Sequence, residues 1–143
     1  MRLLVPLDLS PATERVLATA TAVARDTGAS VWLLHVAEPD PAFVGYEAGS
    51  AAVRDQVAHE YRDEHRRLQE HATQLREAGI DATPLLIRGP TAETILEKSA
   101  QLEVDLIVMA THGRGAVFDI LVGSISHAVL RRSTIPVLMV PAR

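Results

Sequence analysis

Short apolar runs alternate along this chain with segments whose apolar positions recur every three or four residues. Leu3 to Leu7 (LLVPL) predicts a first buried strand. Ser10 then offers a helix cap, with Pro11 at the first helical position, where a missing N–H costs nothing. Val16, Leu17, Ala20, Val23 and Ala24 follow at helical spacing, and Gly28 is a stop. Val31 to Val36 (VWLLHV) predicts a second buried strand. From Glu38 to Ala52 the chain carries two prolines, two glycines and no periodicity, which predicts a long surface loop.

Val53 to Ala78 predicts a long amphipathic helix, with Val53, Val57, Tyr61, Leu68, Ala72 and Leu75 facing inward and Gly79 closing it. Its many Arg, Asp and Glu residues read as a solvated face. Thr83 to Ile87 predicts a third strand, Ala92 to Leu102 a third helix and Leu106 to Ala110 a fourth strand. Ser124 to Arg132 predicts a fourth helix and Pro136 to Val140 a last strand. The order βαβαβαβαβ, with strands apolar on both faces, predicts one α/β domain: a parallel sheet covered by helices on both sides. Ligands of such open sheets bind beyond the C-terminal strand ends, where the winding direction reverses.

Composition narrows the function classes. The 143 residues are 48% hydrophobic and 22% charged, as in a globular domain. A net charge of −4 argues against a general nucleic-acid binder. There is no cysteine, which excludes disulfides, thiolate catalysis and cysteine-ligated metal. No apolar run approaches the ~20 residues of a membrane span, and MRLLVPLD reads as a strand rather than a signal peptide. A cytoplasmic protein, without nucleic-acid or membrane partners, is the expectation.

The chemistry concentrates in Ala110 to Ser124 (ATHGRGAVFDILVGS), which joins the fourth strand to the fourth helix. Glycines let backbone approach a phosphate closely, and a helix start favours an anion. Generic nucleotide motifs fail here. There is no G-x-x-x-x-G-K-[ST], and the only lysine is Lys98 on the third helix. Gly113 and Gly115 begin a G-x-G-x-x-G, but Phe118 holds the third glycine position and the loop follows the wrong strand. A phosphoacceptor receiver is also excluded: Asp8 stands alone, Arg88 follows the third strand and Pro141 the fifth.

Gly113, nine residues, then Gly123-Ser124 resembles the G-x2-G-x9-G-[S/T] loop of the universal stress protein family, with Ala110 in place of the first glycine. LLVPLDLSPATERVL, VWLLHV and the closing STIPVLMVP resemble that family too, so the likeness spans nearly the whole chain. The family has an ATP-binding branch and one that has lost the loop motif. The resemblance implies a five-stranded sheet of order 3-2-1-4-5. It implies ATP, with magnesium where the phosphates require it, held at Gly113, Gly123 and Ser124. Pro6, Leu7 and Asp8 on the first strand and Val36 on the second would surround adenine and ribose, and Met109 and Ile125 would add contacts. Arg114 could add charge-assisted bonds to the phosphates. A homodimer through Pro136 to Val140 is implied, with a regulatory role, an unidentified protein partner and slow hydrolysis at most. A nucleotide-independent protein acting by contact alone is the alternative. An adenine-nucleotide hydrolase ranks below both, because DLSPAT lacks the Ser-Gly-Gly loop that class carries after its first strand.

Ala110 carries an alternative of its own. Where the family glycine serves a positive φ, alanine is strained by about 1 kcal/mol or more. Where it serves clearance, alanine is the smallest intrusion. Among the histidines, 59, 65 and 71 are six apart and spread around their helix, which argues against a metal site. His35 and His127 read as structural, His112 as solvent-facing or ligand-touching alike, and Asp119 as solvent-facing or meeting the ligand's metal alike.

Overall fold

The computed structural model describes residues 1–38, 51–112 and 122–142. In chain order its elements are β1 (Arg2–Pro6), α1 (Thr13–Thr27), β2 (Ser30–Ala37), α2 (Ala51–Glu77), β3 (Ala82–Arg88), α3 (Thr91–Gln101), β4 (Leu106–Ala110), α4 (Ser124–Arg132) and β5 (Val137–Val140). All four strand pairings are parallel, in the order β3-β2-β1-β4-β5. That is the expected sheet. Its central strands Leu3, Leu4, Val5, Leu33 and Leu34 are fully buried, because helices cover both faces.

Alternate strand residues divide the core in two. Leu3, Val5, Val31 and Leu33 pack with Val16, Leu17 and Ala20 of α1 and with Leu68, Ala72 and Leu75 of α2. Leu4, Leu34, Ile107 and Met109 pack on the opposite face with Ile95 of α3 and Val129 of α4. Among the described residues no helix is long and apolar enough to cross a membrane.

Two expectations from the periodicity are corrected. Helix α1 begins at Thr13, and Ser10 does not cap it by a side-chain bond. Its carbonyl instead accepts from Thr13 N–H at 3.0 Å and its hydroxyl from Ala12 N–H at 3.3 Å, so Ser10-Pro11-Ala12 form a turn that feeds the helix. In α2 the fully buried residues are Leu68, Ala72 and Leu75, while Val53, Val57 and Tyr61 are half-buried. Length is the reason. At ~1.5 Å per residue the 27-residue helix spans about 40 Å, well beyond the seven residues of β3. Tyr61 lies level with the end of β3, where the Arg88 guanidinium sits 4.3 Å over its ring. The first turns of α2 therefore rise past the C-terminal end of the sheet.

Backbone conformation explains the helix ends. Gly28 and Gly79 take φ of +70° and +83° after α1 and α2, where the glycine freedom is needed. At the end of α3 that position is Glu103, at φ +51°. Its N–H bonds to Ala100 O at 3.2 Å and Val104 N–H to Ser99 O at 3.1 Å, a Schellman closure. Glu103→Gly should therefore raise the unfolding free energy by roughly 0.5–1 kcal/mol, measured by urea titration, since the exposed Arg2 pair it forfeits contributes little.

The sheet has two outer strands. Val31 N–H donates to Asp81 O and Gly89 N–H to Ala37 O, so the odd-numbered groups of β3 face β2 and the nitrogen of Pro84 faces outward. In β5, Ile107 N–H donates to Pro136 O and Thr111 N–H to Val140 O, which leaves the backbone groups of Val137 and Met139 facing away from the sheet.

Candidate functional site

From β1 the chain winds to β2 and β3 on one side, then returns to β4 and β5 on the other. Crossovers leaving in opposite directions open a crevice at the C-terminal ends of β1 and β4. A cavity of about 590 Å³ lies there, lined from both sides of the switch. Pro6, Leu7 and Asp8 enter it from the end of β1, Val36 from β2, and Met109 and Ala110 from β4. Gly123, Ser124 and Ile125 enter it from the start of α4. Nine residues scattered over the sequence thus share one wall. Gly113, Arg114 and Asp119 lie outside the described residues.

Asp8 has the most distinctive chemistry. Its Oδ1 accepts from Ser10 N–H at 3.0 Å, an Asx turn just past the strand. Its Oδ2 is buried with no hydrogen-bond partner, and so is Oγ1 of Thr13, another residue of the same cavity. Such groups each cost about 1–3 kcal/mol when left unmade, more when charged. A hydroxyl group is the kind of partner each lacks: it can donate to a carboxylate and accept from a threonine.

On the other wall, Gly123 precedes α4 with φ −70° and ψ 167°, and the helix has no side-chain cap. His127 N–H bonds back to Gly123 O at 2.8 Å, and Gly123 N–H is held by Thr111 O at 2.7 Å. A φ of −70° is open to any residue, so conformation does not require glycine there; what glycine supplies is backbone without a Cβ beside the cavity. The uncapped helix start favours negative charge.

Ala110 is resolved on one of its two alternatives. The positive-φ positions among the described residues are Leu9, Glu103, Gly28, Gly79 and Gly89, so Ala110 carries no left-handed strain. Its carbonyl accepts from Ser126 Oγ at 2.8 Å, which ties the end of β4 to α4. What remains at Ala110 is one methyl group on a cavity-lining residue.

Three further carboxylate and imidazole groups of the wall were not foreseen. His35, expected to be structural, is buried yet lines the cavity, with Nδ1 2.7 Å from Leu7 O and Nε2 2.9 Å from Glu64 Oε2. A carbonyl only accepts, so Nδ1 is the donor to Leu7 O. Glu38 accepts from Thr91 N–H at 3.0 Å and from Thr91 Oγ1 at 2.6 Å, capping α3 where Pro90 cannot. Of the three carboxylates around the cavity, Asp8 is the one with a buried oxygen that lacks a partner among the described residues. No lysine or arginine lines the cavity among the described residues, and no group of three or more His, Asp or Glu could hold a metal ion there. His112 lines the cavity, with Nδ1 3.0 Å from Thr111 Oγ1, whereas His127 is exposed.

The sequence profile of the universal stress protein family matches residues 1–141. A universal stress protein of Thermus aquaticus, from the 3′ region of a QAH/OAS sulfhydrylase, is 33% identical over 144 residues, covering 96% of both chains. Among solved structures, the Methanocaldococcus jannaschii protein MJ0577 superposes with a TM-score of 0.82 at 25% identity, covering 98% of this chain and 94% of its own. The Archaeoglobus fulgidus universal stress protein, solved in complex with dAMP, superposes with a TM-score of 0.67 at 20% identity, covering 98% and 97%. A profile match over nearly every residue, a whole-length relative and the shared 3-2-1-4-5 sheet lead to one assignment: this chain belongs to the universal stress protein family.

Proposed function

We propose that this universal stress protein binds an adenine nucleotide, ATP included, in the cavity between β1 and β4, and acts as a cytoplasmic homodimer that regulates rather than catalyses. The observation that carries this reading is Asp8 Oδ2, a buried acceptor without a partner in the wall of a nucleotide-sized cavity. A ribose hydroxyl is the group it suits. Apolar Val36 and Met109 offer walls for adenine, and the start of α4 offers the backbone N–H groups of Ser124 and Ile125 and the Ser124 hydroxyl to phosphate. Gly113 and Arg114 would complete the phosphate end. Magnesium would enter with the phosphates themselves, since the described wall offers no ligand cluster. The dAMP complex of the Archaeoglobus fulgidus relative supports the ligand class.

The dimer would form through β5. Its outward backbone groups belong to Val137 and Met139, and Leu138 between them is 37% exposed. Two copies related by a two-fold axis at Leu138 can pair antiparallel, Val137 opposite Met139 on each side, through four backbone hydrogen bonds. Such an unprotected apolar edge otherwise invites indiscriminate pairing.

Denaturing the purified protein and separating what it releases should yield AMP, ADP or ATP, and calorimetric titration of the emptied protein should show saturable binding of ATP and AMP. No heat at millimolar ATP would overturn the reading and leave the nucleotide-independent one, which the extra methyl of Ala110 favours.

A further inference from the structure

We propose that Arg67, on α2 and outside the cavity, is a positioning residue that holds the β1–α1 turn in the conformation presenting Asp8; this rests on the nucleotide reading above. The turn is held at both ends by groups from other elements. Leu7 N–H donates to Leu34 O at 2.8 Å, and Leu7 O accepts from His35 Nδ1, whose other nitrogen meets Glu64 of α2. Two residues later, Leu9 is buried at φ +60°. For a leucine this left-handed conformation costs about 1–2 kcal/mol and persists only where the surroundings over-determine it.

Arg67 supplies that constraint: its Nη2 donates to Leu9 O at 2.9 Å. Glu64 and Arg67 are three residues apart, on one side of α2, so the same helix face grips the turn at Leu7 through His35 and at Leu9 directly. Between the two gripped carbonyls lies Asp8. With Leu9 left-handed, Ser10 N–H reaches Asp8 Oδ1 and Oδ2 is left for a ligand. Rotation of Leu9 to an ordinary negative φ would swing the Leu9–Ser10 peptide and release the carboxylate.

A double-mutant cycle tests this with AMP as the probe. Arg67→Met should weaken AMP binding about tenfold in the native background. In an Asp8→Asn background it should change affinity by less than about twofold, because the group it positions is gone. Amide exchange at Ser10 should quicken in Arg67→Met without nucleotide present. Arg67→Lys, which keeps a cationic donor, should recover part of the affinity, and it carries the same cycle should Arg67→Met fail to fold. Equal losses in both backgrounds, or AMP affinity and Ser10 exchange that stay as in the native protein, would overturn the positioning role while the nucleotide reading stands. A native protein that binds no AMP at millimolar concentration would overturn the nucleotide reading itself and this role with it.

Discussion

Asp8→Asn is expected to melt higher than the native protein while binding AMP and ATP roughly 10- to 100-fold more weakly. The two effects have one origin. Asparagine keeps an oxygen for Ser10 N–H, so the Asx turn survives. Its amide nitrogen replaces the buried Oδ2, exchanging an unpartnered charged acceptor for a neutral group that is less costly to bury. The gain should be about 1 kcal/mol, near 3 °C for a chain of this size. The same replacement removes the acceptor for a ribose hydroxyl, and a bond to a charged group carries about 1.5–3 kcal/mol. Scanning calorimetry and nucleotide titration on one preparation check both. A variant that melts lower and binds normally would make Asp8 a structural residue.

Leu138→Glu should convert the proposed homodimer into a monomer, weakening association at least ~100-fold. In the antiparallel pairing proposed for β5, Leu138 faces its own symmetry mate without a backbone bond between them, where Cα atoms approach to about 4.5 Å. Burying the exposed third of each Leu138 contributes about 0.5–1 kcal/mol, and two carboxylates placed directly opposite in the contact repel and are costly to desolvate. Leu138 does not line the cavity, so nucleotide affinity should be unchanged. Sedimentation velocity decides the matter: a monomeric native protein at micromolar concentration, or an intact dimer after the substitution, would refute the β5 interface.

How much of this was legible in the chain depended on the kind of signal. Strands and helices could be read because LLVPL and VWLLHV are apolar on both faces, whereas α1 and α4 carry one apolar stripe each. The position of the cavity followed from βα order alone. Local propensity misled at Ser10, whose neighbours Pro11 and Ala12 turn before the helix begins. The grip of α2 on the site escaped notice although a trace of it was present. The inward stripe Val57, Tyr61, Leu68, Ala72, Leu75 skips a turn, and the residue filling that gap is Glu64. Its partner His35 is likewise the one polar member of the VWLLHV run. Two polar residues at apolar positions on neighbouring elements are a readable sign of a buried pair. Arg67 left no such sign: one arginine among many on α2 shows its bond to Leu9 O only in three dimensions.

Pro84 has a consequence for how many copies can join. A parallel sheet with two open borders could recruit a neighbour at each, and identical units joined that way have no natural end. Here one border is interrupted at its middle, because an imino nitrogen has no hydrogen to offer a newcomer and its ring stands where that strand would lie. Growth would be confined to the β5 border, where the proposed two-fold contact uses itself up. An assembly built through the proposed β5 contact would thereby stop at two, with the stop written on the strand farthest from that contact.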